Sequence, residues 1–181
     1  MDFKRNSVRF LVGFLTVMIA SPIGVQSGCC CPSLWTSFGQ NCYRYFSYNM
    51  TWERAEQFCR GFSVPSLGSG DPDMDTLGIS HLVSIHSQAE NDFVFTLFRS
   101  SAPKEVLKYM WIGLHDATLD GIHVWVDGTD VRYTNWIPGQ SDNIGREDCS
   151  EIVNTRSDGW NDVRCTFTRA SCFICKLPSW Y

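Results

Sequence analysis

Gln140, Ser141, Asp142, Asn143 and Glu147 crowd oxygen-bearing side chains into one short stretch, and Asn161 and Asp162 add two more downstream. Carboxylates and amide carbonyls in quick succession are hard ligands, and a calcium ion takes six to eight of them. The chemistry these residues suggest is cation binding. Other clusters are weaker. Asp71, Asp73 and Asp75 alternate like the start of an EF-hand loop, but Thr76 stands where that loop needs glycine and Leu82 where it needs its terminal glutamate. The histidines at 81, 86, 115 and 123 are scattered, with no serine or cysteine nucleophile in a recognisable setting, so packing or surface roles are expected and an enzyme is not.

The elements that must hold the oxygen-rich loop follow from periodicity. Tyr43 to Phe46 reads as a short strand. Thr51 is a plausible N-cap for a helix from Trp52 to Gly61, with Trp52, Ala55, Phe58 and Cys59 on one face and Gly61 ending it. A strand from His81 to Ile85 precedes a second helix, opened by Ser87 and Glu90 at capping-box spacing, with Phe93, Val94, Leu97 and Phe98 as its buried stripe. Beyond Tyr109 the pattern predicts short strands: Met110 to Leu114, His123 to Val126, Tyr133 to Trp136, Ser150 to Val153 and Ser171 to Lys176. The class is α+β, with a second half of loops on a small sheet.

Lys4, Arg5 and Arg9 precede an apolar stretch from Phe10 to Ala20 that is too short to span a bilayer and suits a secretory signal. Small residues place cleavage after Ser27, with Gly24 as the alternative end, so residues 1–27 form a signal peptide and residues 28–181 one extracellular domain. Without the leader's charges the formal net charge moves from −4 to −6. That disfavours nucleic acid and anionic membranes, and no later stretch suits membrane insertion. Asn49-Met50-Thr51 is the single glycosylation sequon, placing Asn49 on the surface.

Nine cysteines fit an oxidising compartment and a disulfide framework. Zinc would need paired ligands at regular spacing, whereas Cys29, Cys30 and Cys31 are contiguous and the pair Cys172 and Cys175 has no matching pair. Three positions apart on a strand, Cys172 and Cys175 point to opposite faces, which argues against redox chemistry. The odd count makes Cys29 and Cys30 candidates for an interchain bridge and the product a disulfide-linked homo-oligomer.

Several motifs in order resemble the C-type lectin-like domain across the whole mature chain: Trp111-Ile112-Gly113-Leu114, Trp125-Val126-Asp127-Gly128, Asn135-Trp136, Glu147-Asp148-Cys149, Trp160-Asn161-Asp162 and Phe173-Ile174-Cys175. More narrowly, Cys30-Cys31-Pro32, Trp35 to Gly39, Gln57-Phe58-Cys59 and Phe62 to Ser66 resemble echinoidin-type secreted invertebrate lectins. The resemblance implies two helices, short antiparallel sheets and a long calcium-binding loop region, stapled by Cys59 with Cys175, Cys149 with Cys165 and Cys31 with Cys42.

It also implies that Gln140, Asp142, Glu147, Asn161 and Asp162 together hold Ca2+ and a sugar, the cation coordinating two adjacent hydroxyls while carboxylates accept from them and amides donate to them. The order amide then acid at Gln140 and Asp142 resembles the galactose-type pattern, so galactose or N-acetylgalactosamine is the expected ligand, in innate recognition or agglutination. Asp116, Asp120, Asn143 and Asp148, with the Glu147 carbonyl, fall at the positions of a second, structural calcium site. Trp111, Trp125, Trp136 and Trp160 sit in family core motifs, leaving Trp35 and Trp180 as freer candidates for sugar stacking. The chain departs from the family in three ways: Ser141 replaces the usual cis-proline, Asn143 and Ile144 stand where a stacking ring is common, and the spacing from Asp142 to Glu147 is one residue short. A cis bond without proline costs about 2.5–4 kcal/mol, so the expectation divides between a cis bond supported by calcium and a trans bond with altered ligand geometry. Ser141 and Ile144 motivate the rival reading, a calcium-independent protein-interaction or matrix protein on the same scaffold.

Overall fold

Met110, Ile112 and Leu114 alternate with Trp111 and Gly113, so one strand carries groups to bury on both faces, and all five residues are buried. The computed structural model describes residues 31–63, 78–102, 108–116, 121–142, 146–155, 158–170 and 172–179. The expected leader, Cys29, Cys30, the loop of Asp71, Asp73 and Asp75, Asp120, Asn143, Ile144 and Trp180 lie outside the described residues.

The strands are β1 (Thr36–Phe38), β2 (Asn41–Phe46), β3 (His81–Leu82), β4 (Tyr109–His115), β5 (Val124–Trp125), β6 (Cys149–Val153), β7 (Gly159–Val163) and β8 (Phe173–Pro178); the helices are α1 (Trp52–Cys59) and α2 (Gln88–Ser101). They build one sheet in the order β1-β2-β8-β4-β6-β7, with β3 on β8 and β5 on β4. Every pairing is antiparallel except β4 with β8, joined in parallel at Trp111 and Phe173.

Strand alternation divides the core in two. Met110, Ile112, Leu114 and Ile174 face a cluster with Val94, Phe95 and Phe98 of α2. Trp111, Phe173 and Cys175 face the other way, against Trp52, Ala55 and Cys59 of α1. Cys59–Cys175 bonds α1 to β8, Cys149–Cys165 closes the β6–β7 hairpin and Cys31–Cys42 ties the N-terminal segment to β2, the three pairs the resemblance implies. Gly113 lets β4 pass close to β3, because a Cβ there would stand 2.6 Å from the Leu82 carbonyl oxygen.

Several local expectations change. Tyr133 to Trp136 forms no strand; its only ladder contact is an isolated bridge from Trp136 to Trp160. Trp160-Asn161-Asp162 lies inside β7, and neither β7 nor β1 was anticipated as a strand. Thr51 precedes α1 but its side chain makes no capping bond, whereas the Ser87 hydroxyl accepts from the Glu90 amide at 3.2 Å. Glu90 completes that cap one residue early, accepting from the His86 amide at 2.8 Å. Phe95 joins the buried stripe of α2, while Phe93 and Leu97 are only partly buried. Trp35 is no open stacking platform, since it packs edge-on against Phe62 at 5.4 Å.

Candidate functional site

The β6–β7 hairpin sets Ser150 opposite Asp162 and Glu151 opposite Asn161, and the Cys149–Cys165 bond clamps the end from which Glu147 emerges. The segment carrying Gln140 lies along β7: the Ile137 amide donates to the Trp160 carbonyl at 2.9 Å and the Trp160 amide to the Asn135 carbonyl at 2.7 Å. This close approach requires Gly159, whose Cβ would meet the Asn135 oxygen at 2.7 Å. Gly139, at φ 92°, then turns the chain into Gln140. The Gln140–Ser141 peptide is cis, the first of the two conformations expected.

The result is convergence. Carboxylate oxygens of Asp142, Glu147 and Asp162 lie within 4.8 Å of one another, although the residues grade from exposed through half-buried to buried. The Gln140 side-chain oxygen is buried and has no hydrogen-bond partner among the described residues, while its amide nitrogen donates to Asp142 at 3.4 Å. Asn161 sits on the same strand as Asp162, and its amide nitrogen donates to the Asp162 carbonyl at 2.7 Å. Burial raises the Glu147 carboxyl, the neighbouring charges of Asp162 and Asp142 raise it further, and Arg169 and Arg164 oppose them in part. Three acids that repel one another beside an acceptor-only amide oxygen form a donor set that a hard divalent cation neutralises.

The second set is half described. Asp116 is buried, its carboxylate accepts from the Gly121 amide at 2.9 Å and its own amide donates to the Asp148 carbonyl at 3.1 Å, so Asp116 and Asp148 are neighbours; Asp120 and Asn143 lie outside the described residues.

The histidines take packing and network roles. His81 pairs with Glu56 at 2.7 Å, His115 packs against Trp52 and His123 against Trp136. His81 and His86 also line a cavity of 330 Å³ with Asp127, Thr129 and Lys176. Ser84 sits 3.1 Å from the His86 ring nitrogen, yet its hydroxyl donates to Asp127 and the residue is fully buried, so it is spent on structure and not presented as a nucleophile.

Residues 77–177 match the family described as lectin C-type domain. The chain belongs to the C-type lectin family. It is 45% identical to echinoidin of Heliocidaris crassispina over 152 residues, 83% of this chain and 99% of that one. An alpha-N-acetylgalactosamine-specific lectin of Patiria pectinifera is 35% identical over 81% of this chain and 79% of its own. Among solved structures, the C-type lectin CEL-I of Cucumaria echinata superposes with a TM-score of 0.69 at 35% identity, covering 83% of this chain and 99% of that one. This family membership makes the chain a lectin-type domain and not an enzyme.

Spacing alone missed two residues of this C-type lectin beside the site. Glu151 is fully buried behind Asn161, and Arg169 closes onto it with both its Nε and a terminal Nη nitrogen. The sequence marks neither, since a glutamate between Ser150 and Ile152 reads as a solvent-facing strand position.

Proposed function

We propose that this lectin binds a calcium ion through Gln140, Asp142, Glu147, Asn161 and Asp162 and, on that ion, a terminal galactose-type sugar. The observation that carries the reading is the approach of the Asp142, Glu147 and Asp162 carboxylates to within 4.8 Å of one another. The unpartnered Gln140 oxygen supports it, because a buried acceptor without a donor costs about 1–3 kcal/mol unless something fills its lone pairs. Bound calcium supplies a Lewis-acidic centre with positions for sugar hydroxyls. Around it, the carboxylates accept from those hydroxyls and the Gln140 amide nitrogen, already turned toward Asp142, donates. The amide-then-acid order at 140 and 142, together with the N-acetylgalactosamine-specific relative, favours galactose or N-acetylgalactosamine over mannose. Asp116, Asp120, Asn143 and Asp148 are the residues of a second, structural calcium site.

Residues 1–27 direct secretion, residues 28–181 form the extracellular domain, and Asn49, exposed, accepts a glycan. Cys29 or Cys30 links copies into an oligomer, in which weak single sites gain by avidity. Glycan-array binding with and without calcium tests the reading. Binding to galactose-type glycans is expected to vanish in a chelator and in Gln140→Ala and Asp142→Ala, with free galactose competing better than mannose. Calcium-independent binding, or full binding by both variants, would overturn it.

A further inference from the structure

Asn161 is a candidate ligand whose amide must present its oxygen, and not its nitrogen, to the cation. Amide orientation is set by what the nitrogen donates to. One donation goes to the Asp162 carbonyl at 2.7 Å. Directly across the β6–β7 pair stands Glu151, the register partner of Asn161, whose side chain lies on the same face of the sheet. A carboxylate there accepts and cannot donate, so it favours the amide nitrogen on its side and leaves the Asn161 oxygen to face a ligand.

Glu151 suits this task because it cannot turn away. Its side chain is fully buried, and Arg169 grips both carboxylate oxygens, the Nε at 3.3 Å and an Nη in closer contact. Arg169 is itself held flat, with its guanidinium 4.7 Å from the Tyr109 ring centroid and 5.7 Å from that of Phe167.

We infer that Arg169 and Glu151 form a clamp that positions Asn161 for the cation, with Glu151 as the positioning residue and Arg169 as the group that holds it still. The inference rests on the calcium reading above. A carboxylate behind an amide ligand fixes which atom coordinates, as outer-shell partners of metal ligands do, and their loss typically costs about 10–100-fold in metal affinity.

The test is calorimetric calcium titration of the full-length secreted protein and of Glu151→Gln, Arg169→Gln and Arg169→Lys. It is paired with NMR of the Asn161 side-chain amide and melting in a chelator. Glu151→Gln and Arg169→Gln should weaken calcium by about tenfold or more, with Arg169→Lys intermediate. In the calcium-free parent the Asn161 amide protons should be distinct and slow to exchange, and in Glu151→Gln they should lose that signature. A purely structural role would lower the melting temperature in chelator without moving the amide signals. If Glu151→Gln fails to fold, the two Arg169 variants carry the same comparison. A parent that binds no calcium overturns the site itself. A parent that binds calcium, with affinity unchanged within twofold in the folded variants or with the Asn161 signals unmoved, overturns the clamp alone.

Discussion

Glu90 and Lys176 bond across the interior at 2.7 Å, with side chains 8% and 9% exposed, so removing one partner leaves a charge where water cannot reach it. Glu90 also accepts from the Tyr43 hydroxyl at 2.6 Å and the His86 amide at 2.8 Å, while Lys176 donates to the Ser84 carbonyl at 3.0 Å. This knot joins β2, the start of α2 and β8. Glu90→Leu strands the Lys176 ammonium, and breaking a buried pair from one side costs about 3–5 kcal/mol. For a domain of this size that lowers the melting temperature by on the order of ten degrees. Denaturant unfolding with disulfides intact measures the loss directly. The double variant Glu90→Leu with Lys176→Met removes both charges and should recover most of it, since replacing a whole buried pair by apolar groups is often neutral. If the single variant costs less than about 1 kcal/mol, or the double variant costs the sum of its parts, the pair is not coupled and the reasoning fails.

The same pair gives a pH dependence. Burial alone would raise the Glu90 carboxyl, but the Lys176 charge and hydrogen bonds from Lys176, Tyr43 and the His86 amide outweigh it and hold it below its ordinary value. Its contribution is therefore complete above the unfolded carboxyl's value of about 4.3 and is lost as pH falls through the lower folded value. Below about pH 4.3 the parent should lose stability more steeply than the double variant.

Two further outcomes are expected. Burial pushes the Cys172 thiol up to about 12, and its sulfur faces the Tyr109 carbonyl at 3.3 Å; a thiol reagent at pH 8 should leave the Cys172 peptide unlabelled in the native protein and label it after unfolding, as read by mass spectrometry. Gly113→Ala would place a Cβ 2.6 Å from the Leu82 oxygen and 2.9 Å from a Val126 methyl, so denaturant unfolding should show a loss of about 1–3 kcal/mol or more, and a loss below 0.5 would contradict the close approach of β3 to β4.

Periodicity located most elements because their apolar faces are local facts. The β4 alternation and the Ser87–Glu90 cap are both visible over a few residues, and both are present. What failed depended on partners far away in the chain. Gly159-Trp160-Asn161-Asp162-Val163 carries residues that disfavour strands, yet five consecutive pairs with β6 and the Cys149–Cys165 bond hold it extended. Tyr133 to Trp136 has strand-forming rings but no ladder to join; Tyr133 and Trp136 instead pack edge-on against Trp160 at 5.7 and 5.9 Å. The parallel contact of β4 with β8 brings together residues from distant parts of the chain, which no window of sequence displays.

The candidate site divides along the same line. Oxygen-bearing side chains are legible one by one, so Gln140, Asp142, Glu147, Asn161 and Asp162 could be named from residue type and motif. Their convergence could not, because it depends on Gly159 admitting the Asn135 carbonyl, on the Trp136 to Trp160 bridge and on the bonded end of the β6–β7 hairpin. Glu151 shows the limit most clearly. A glutamate in the strand Cys149-Ser150-Glu151-Ile152-Val153 reads as a solvent-facing position, and only the pairing with Asn161 and the approach of Arg169 from beyond β7 reveal it as buried and engaged. A motif can thus name ligands, but the groups that aim them belong to the tertiary structure, and substitutions there should alter binding while leaving every motif residue in place.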